Sequence, residues 1–72
     1  MSAGAASACT VNGRPHEIEP GETVERMLER LGGMAAYALV ERNGEPVERE
    51  RYRDVLVESG DTILVARPVA GG

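Results

Sequence analysis

The chain has 72 residues, of which 42% are hydrophobic, so it can form one small domain with room for one helix packed on one sheet. Phenylalanine and tryptophan are absent and only two tyrosines are present, so the core must be aliphatic. The net charge of -4 argues against a nucleic-acid partner, because binding to phosphates depends on clustered cations. Lysine is absent, so no side-chain amine is available to accept an acyl group.

Cysteine content and the N-terminal segment indicate the class of protein. Cys9 is the only cysteine, which excludes an internal disulfide and a metal site made of several cysteines. Its place on the first predicted strand favours a small core residue over a redox site. Residues 1–7 lack the charged and apolar regions of a secretory signal, and no stretch is long enough to span a bilayer. We expect a cytoplasmic protein without a membrane partner, in which residues 1–7 form a disordered extension.

The first predicted unit is a β-hairpin. Asn12 and Gly13 form the strongest two-residue hairpin signal, because both residues tolerate a positive φ. The flanking strands are predicted at Ala8–Val11 and at residues 14–18. The residues expected to point inward are Cys9, Val11 and Ile18. His16 has no neighbouring histidine or cysteine that could complete a ligand set, so we expect it at the surface.

A helix is predicted next, because apolar residues recur at helical spacing. The residues of this stripe are Val24, Met27, Leu28 and Leu31. Thr23 can act as the N-cap, and Gly32 with Gly33 supplies the C-terminal stop. If Glu22 were the cap instead, the helix would begin one residue earlier.

The second half of the chain predicts three more strands. Residues 36–41 read as a strand, and Asn43 with Gly44 forms a second Asn-Gly turn into a brief strand at Glu45–Val47. Pro46 restricts that brief strand to the edge of a sheet. The last strand is predicted at residues 62–67.

Between the fourth and fifth predicted strands lies a charged segment, residues 48–61. Its few apolar residues favour a short helical turn and a loop over a longer element. Tyr52 and Val55 are expected to anchor this segment to the core, with Leu56 as a further candidate.

This order of elements predicts an α+β fold in which the helix covers one face of the sheet. On the last strand, Ile63 and Val65 are expected to face the helix. Leu64 and Ala66 then lie on the open face, where alternation would normally place polar residues. Leu64 and Ala66 are therefore candidate partner-docking residues.

Three segments carry a resemblance to a known family: "NGEPVERERYRD", "SGDTILV" and the terminal "VAGG". With the order of elements, they resemble the ThiS and MoaD sulfur-carrier proteins over residues 9–72, and residues 43–52 are most similar to ThiS. The "RPVAGG" ending is more similar to MoaD and to the cysteine-pathway carrier CysO. The resemblance implies a ubiquitin-like β-grasp fold for residues 8–67, with a four- to five-stranded mixed sheet, one main helix packed on one face, and a flexible tail at residues 68–72.

The resemblance also implies a function for the tail. Gly72 would be adenylated with ATP by a ThiF- or MoeB-like enzyme and converted to a thiocarboxylate with sulfur from a persulfide. The tail residues expected to insert into the partner active sites are Pro68, Val69, Ala70 and Gly71. The chain would be a protein co-substrate and not an enzyme, a monomer when free, with no catalytic residue, no metal and no bound cofactor of its own.

The recipient of the sulfur is open at this point. Thiazole synthase in thiamin biosynthesis comes first, and molybdopterin, cysteine or a specialised thio-metabolite comes second. In a different class, the chain is a ubiquitin-like modifier whose Gly72 is joined to a lysine of another protein. A non-covalent β-grasp binding module would need only the open sheet face.

Overall fold

Five strands and one α-helix are present in the computed structural model, which describes residues 7–33 and 38–67. The strands are β1 Ala8–Val11, β2 Arg14–Glu17, β3 Leu39–Arg42, β4 Glu45–Val47 and β5 Thr62–Ala66, and the helix is α1 Val24–Arg30. The sheet order is β2-β1-β5-β3-β4, with β5 parallel to β1 and antiparallel to β3. The mixed sheet with one helix confirms the predicted fold class. In the described ranges no helix has the length and apolar character needed to cross a bilayer.

The element boundaries differ from the predicted ones at a few positions. β2 ends at Glu17, although Ile18 still packs against the core. β5 ends one residue earlier than predicted, at Ala66. β3 begins at Leu39, and the first two residues predicted for it, at 36–37, lie outside the described residues. Most of the predicted extension and the whole of the tail, residues 1–6 and 68–72, also lie outside them.

Both hairpin turns have the backbone geometry that the Asn-Gly pairs predict. Asn12 and Gly13 have φ of 52° and 81°, and Asn43 and Gly44 have φ of 53° and 86°. Two successive residues in the left-handed region match the twist of the flanking strands. Pro46 lies on β4, at the edge of the sheet, as predicted.

Helix α1 begins and ends as the sequence indicates, but its apolar stripe is one residue shorter. The Thr23 hydroxyl accepts a hydrogen bond from the Arg26 N–H at 3.1 Å. The Gly33 N–H donates to the Leu28 carbonyl at 3.0 Å and closes the C-terminal turn. Leu31, the last residue of the predicted stripe, is 37% exposed and is the C-cap, since the regular helix ends at Arg30.

The core between helix and sheet is aliphatic apart from one tyrosine. Its buried members are Cys9, Val11, Val24, Met27, Leu28, Ala38, Val40, Tyr52, Val57 and Ile63. The Tyr52 hydroxyl donates to the Ala38 carbonyl at 2.8 Å, which satisfies the polar end of this ring.

The prediction of Leu56 as a further anchor to the core is wrong, because Leu56 is 50% exposed. Leu56 forms an isolated antiparallel bridge with Thr23, and in extended backbone successive side chains point to opposite sides. Val55 therefore packs against the core and Val57 is buried in it.

A buried carboxylate, Glu22, links the hairpin to the helix. It accepts hydrogen bonds from the Glu19 N–H at 2.8 Å and from Arg30 Nη1 at 2.7 Å, and it lies 3.2 Å from His16 Nε2. The prediction that His16 is a surface residue is wrong, since its side chain is 10% exposed and packs against Glu22. Burial opposes ionisation of Glu22, but the hydrogen bonds from Glu19, His16 and Arg30 outweigh it and hold its pKa below the ordinary value of 4.5.

A second carboxylate, Asp61, is buried at the start of β5. It accepts hydrogen bonds from Arg42 Nε at 2.7 Å, from the Glu58 N–H at 2.8 Å and from Asn43 Nδ2 at 3.0 Å. Burial again opposes ionisation, and the hydrogen bonds from Arg42, Asn43 and Glu58 lower the pKa of Asp61 below 3.8. The cluster joins β3 to the residue that precedes β5.

Acid should destabilise this fold through Glu22 and Asp61. Because both pKa values are depressed in the folded chain, the two carboxylates contribute stability above their ordinary values of 4.5 and 3.8. This contribution is lost as the pH falls below those values and through the folded-state pKa. Urea unfolding across this range should show the loss. Glu22→Gln should reduce this pH dependence and lower the free energy of unfolding by about 1–3 kcal/mol at neutral pH, since Arg30 loses its nearer charged partner.

The control for this experiment is Glu29→Gln, because Glu29 is 53% exposed and pairs only with the exposed Arg26 in the described structure. Glu29→Gln should leave the pH dependence unchanged. If Glu22→Gln and Glu29→Gln gave the same pH dependence as the parent chain, the role assigned to Glu22 would be wrong.

Candidate functional site

The open face of the sheet carries an apolar sheet patch at the end of β5 that leads to the tail. The patch consists of Leu39, Pro46, Leu64 and Ala66, and it borders a shallow depression of about 380 Å³. Leu64 is 48% exposed, while Ile63 beside it is fully buried. The predicted orientation of Leu64 and Ala66 is confirmed, and their role in docking stays a prediction.

Leu39 is the member of this patch that the sequence prediction missed. It is 56% exposed and pairs across the sheet with Ala66. Paired residues on neighbouring strands share a face of the sheet, so Leu39 extends the surface formed by Leu64 and Ala66. The signal was present in the alternation of β3, since an inward Val40 requires an outward Leu39.

Beyond the patch, the open face carries polar and smaller apolar residues. Glu41 pairs with both Leu64 and Pro46, so one carboxylate lies within the patch. At the opposite end of β5, Thr62 pairs with Thr10 of β1. The apolar surface is therefore concentrated near the end of β5 from which residues 68–72 continue.

The two turn asparagines hold β5 at its two ends. At the end nearer the tail, Asn12 Oδ1 accepts a hydrogen bond from the Val65 N–H at 2.8 Å, and Asn12 Nδ2 donates to the Val65 carbonyl at 3.1 Å. At the start of β5, Asn43 Oδ1 accepts from the Thr62 N–H at 2.9 Å, and the Asn43 N–H donates to the Thr62 carbonyl at 2.7 Å. The side chain of each asparagine thus bonds to β5, a strand distant in sequence from its own turn.

Cys9 is a core residue, as predicted. It is 3% exposed, and burial raises the pKa of its thiol, with Asp61 and Glu22 adding to the effect. A protonated, inaccessible thiol is a poor nucleophile. Within residues 7–33 and 38–67, no three histidine, cysteine, aspartate or glutamate side chains are grouped so that they could hold a metal ion.

The residues predicted to react or to enter partner sites lie outside the described part of the chain. They are Pro68, Val69, Ala70, Gly71 and Gly72. The structure fixes the point from which they continue, because β5 ends at Ala66 and Arg67 is the last described residue. What these five residues do stays a prediction.

Comparison with known proteins gives a family match and similar curated proteins. The model of the ThiS family matches residues 9–72. The sulfur carrier protein ThiS of Escherichia coli is 34% identical over 61 residues, which covers 85% of this chain and 92% of that protein. A thiazole synthase of Magnetococcus marinus is 39% identical over 62 residues, which covers 86% of this chain but only 19% of that protein. The chain thus spans a small part of the thiazole synthase and nearly all of the carrier.

A solved structure is also similar. The crystal structure of the thiamine biosynthesis protein ThiS from Geobacter metallireducens has a TM-score of 0.73 and 35% sequence identity to this chain. The similarity covers 90% of this chain and 99% of that one. The sheet and helix described above are therefore those of the ThiS β-grasp fold.

Proposed function

Because this chain belongs to the ThiS family of sulfur-carrier proteins, we propose that it carries sulfur on Gly72 as a thiocarboxylate for the thiazole ring of thiamin. The observation that carries the proposal is the family match over residues 9–72. The similarity to a thiamine biosynthesis protein and to thiazole synthases supports thiamin as the pathway. In this role the chain is a co-substrate, and partner enzymes supply the catalytic groups.

The proposed chemistry begins with activation, because a carboxylate is a poor electrophile. A carboxylate oxygen of Gly72 attacks the α-phosphorus of ATP, pyrophosphate leaves, and an acyl adenylate forms. A persulfide sulfur then attacks the carbonyl carbon and AMP leaves with the former carboxylate oxygen. A thiol cleaves the resulting acyl disulfide, which leaves the thiocarboxylate on Gly72 and a disulfide on the donor. We place these steps in the cytoplasm, where ATP and reduced thiols are available.

The sequence of the tail suits entry into a narrow active site. Five residues, 68–72, span on the order of 16 Å when extended, so Gly72 can reach a buried site while the folded body stays outside. Gly71 and Gly72 have no Cβ to collide with the walls of a channel. Pro68 fixes its own φ, which reduces the entropy lost when the tail becomes ordered.

The apolar sheet patch is the proposed docking surface for the adenylating enzyme and for thiazole synthase. Leu39 and Leu64 are large, exposed and held in regular strands, so docking them requires little further ordering. The patch also includes Ala66, two residues before Pro68, so a partner bound there lies close to the tail. A few well-packed residues near the centre of an interface contribute most of the binding energy.

The reaction at Gly72 is tested by pyrophosphate exchange with a ThiF-like adenylating enzyme. We expect the parent chain to support exchange from labelled pyrophosphate into ATP. Deleting Gly72, or adding one residue after it, should abolish exchange because the reacting carboxylate is then displaced from the adenylation site. Circular dichroism should show an unchanged fold in both variants.

The matched control removes residues 1–6, which precede the family match that begins at residue 9. This truncation should leave exchange intact. Exchange at the parent rate in the Gly72 deletion would overturn the proposal.

The docking surface is tested by Leu64→Arg. A charge within the apolar sheet patch should weaken binding to each partner by about 2 kcal/mol or more if Leu64 is a central contact. Titration calorimetry against the adenylating enzyme and against thiazole synthase measures the loss. Leu56→Arg is the control, because Leu56 has a similar exposure, 50%, and lies outside the patch. Equal affinities for the parent and Leu64→Arg would exclude the patch as the docking surface.

A further inference from the structure

The pairing between β1 and β5 is short. The parallel ladder joins only Thr10 with Thr62 and Val11 with Ile63, because the chain leaves β1 for the hairpin turn at Asn12. β5 continues beyond this ladder to Ala66. Within the described residues, the last residues of β5 therefore have no strand beside them on the β1 side.

The Asn12 side chain makes the hydrogen bonds that a neighbouring strand would make at this position. The backbone N–H of Asn12 donates to the Ile63 carbonyl at 2.9 Å, and this is the last backbone hydrogen bond between the β1 hairpin and β5 in the described residues. Its side-chain amide then pairs with both polar groups of Val65, at 2.8 Å and 3.1 Å. A carboxamide presents the same donor and acceptor as a peptide group, so Asn12 extends the ladder by one step.

Few residue types can both adopt the turn conformation at position 12 and bond to Val65 through the side chain. The φ of Asn12 is 52°, in the left-handed region that glycine, asparagine and aspartate tolerate. Glycine satisfies the turn but offers no side-chain bond to Val65. Aspartate satisfies the turn and can accept from the Val65 N–H, but it cannot donate to the Val65 carbonyl.

We infer that Asn12 is a positioning residue for the reaction at Gly72. By holding Val65 in the sheet, it fixes β5 two residues before Arg67, so that the tail continues from a fixed point beside the apolar sheet patch. The inference rests on the proposed carrier function. Without this clamp the end of β5 is held only by β3, and the ordering still needed on its other side when the tail enters a partner site weakens productive binding. The expected signature is a higher KM for the carrier with an unchanged kcat.

Asn43 provides the matched comparison within the same chain. It occupies the equivalent position of the second Asn-Gly turn, and its side chain accepts a hydrogen bond from the Thr62 N–H at the start of β5 and donates one to Asp61. Asn43→Gly therefore removes a clamp from the same strand at the end remote from the tail. A purely stabilising role would make the two glycine variants alike in kinetics.

The experiment measures KM and kcat of the full-length carrier in pyrophosphate exchange with the adenylating enzyme, below the Tm of every variant. Asn12→Gly should raise KM about 5- to 10-fold with kcat unchanged, as the loss of one or two hydrogen bonds predicts. Asn12→Asp should give an intermediate KM, because it keeps one of the two side-chain bonds. Asn43→Gly should keep the parent KM even where its Tm is lower. Hydrogen exchange should be faster at the Val65 amide in Asn12→Gly only.

The outcomes separate this inference from the proposed function. If the parent chain supports no exchange, the carrier function fails and the inference fails with it. If the parent chain is active and Asn12→Gly has the parent KM, the inference alone is overturned. An equal rise in KM in Asn12→Gly and Asn43→Gly would show a general effect of stability and would also overturn it.

Discussion

The central position of β5 is the constraint on which the rest of the structure depends. β5 pairs with β1 on one side and β3 on the other, and Ile63, its second residue, is fully buried in the core. The Asp61 cluster holds the residue before the strand, and the Asn12 side chain holds Val65 near its end. The tail of this carrier therefore continues from the central strand of the sheet, which gives it a fixed origin.

The two faces of β5 make different contacts. The inward face joins helix and sheet, and the outward face contributes Leu64 and Ala66 to the patch that includes Leu39. In the proposed function, the enzyme that loads the carrier and the enzyme that unloads it would both use this patch beside the tail. The two partners would then bind in turn, and release from the first becomes a condition for transfer to the second.

Features set by a few neighbouring residues were predicted well from the sequence. The turns at Asn12 and Asn43 and the Thr23 cap depend on local backbone chemistry, and each is found where predicted. The burial of His16 was missed because it depends on Glu22, which reaches it only after β2 and the start of the helix have packed together. The alternation of β3 gives the outward orientation of Leu39, but its place in the patch depends on pairing with Ala66, which comes from the far end of the chain.

The function of the tail was predicted from resemblance, since the residues alone left a carrier, a modifier and a binding module open. The most direct test is the intact mass of the chain after co-expression with its adenylating enzyme and a persulfide donor. We expect one oxygen to be replaced by sulfur, located at Gly72 by fragmentation, and lost again after incubation with thiazole synthase and its other substrates. An unchanged oxygen at Gly72, with Gly72 found in amide linkage to lysines of other proteins, would contradict the carrier function.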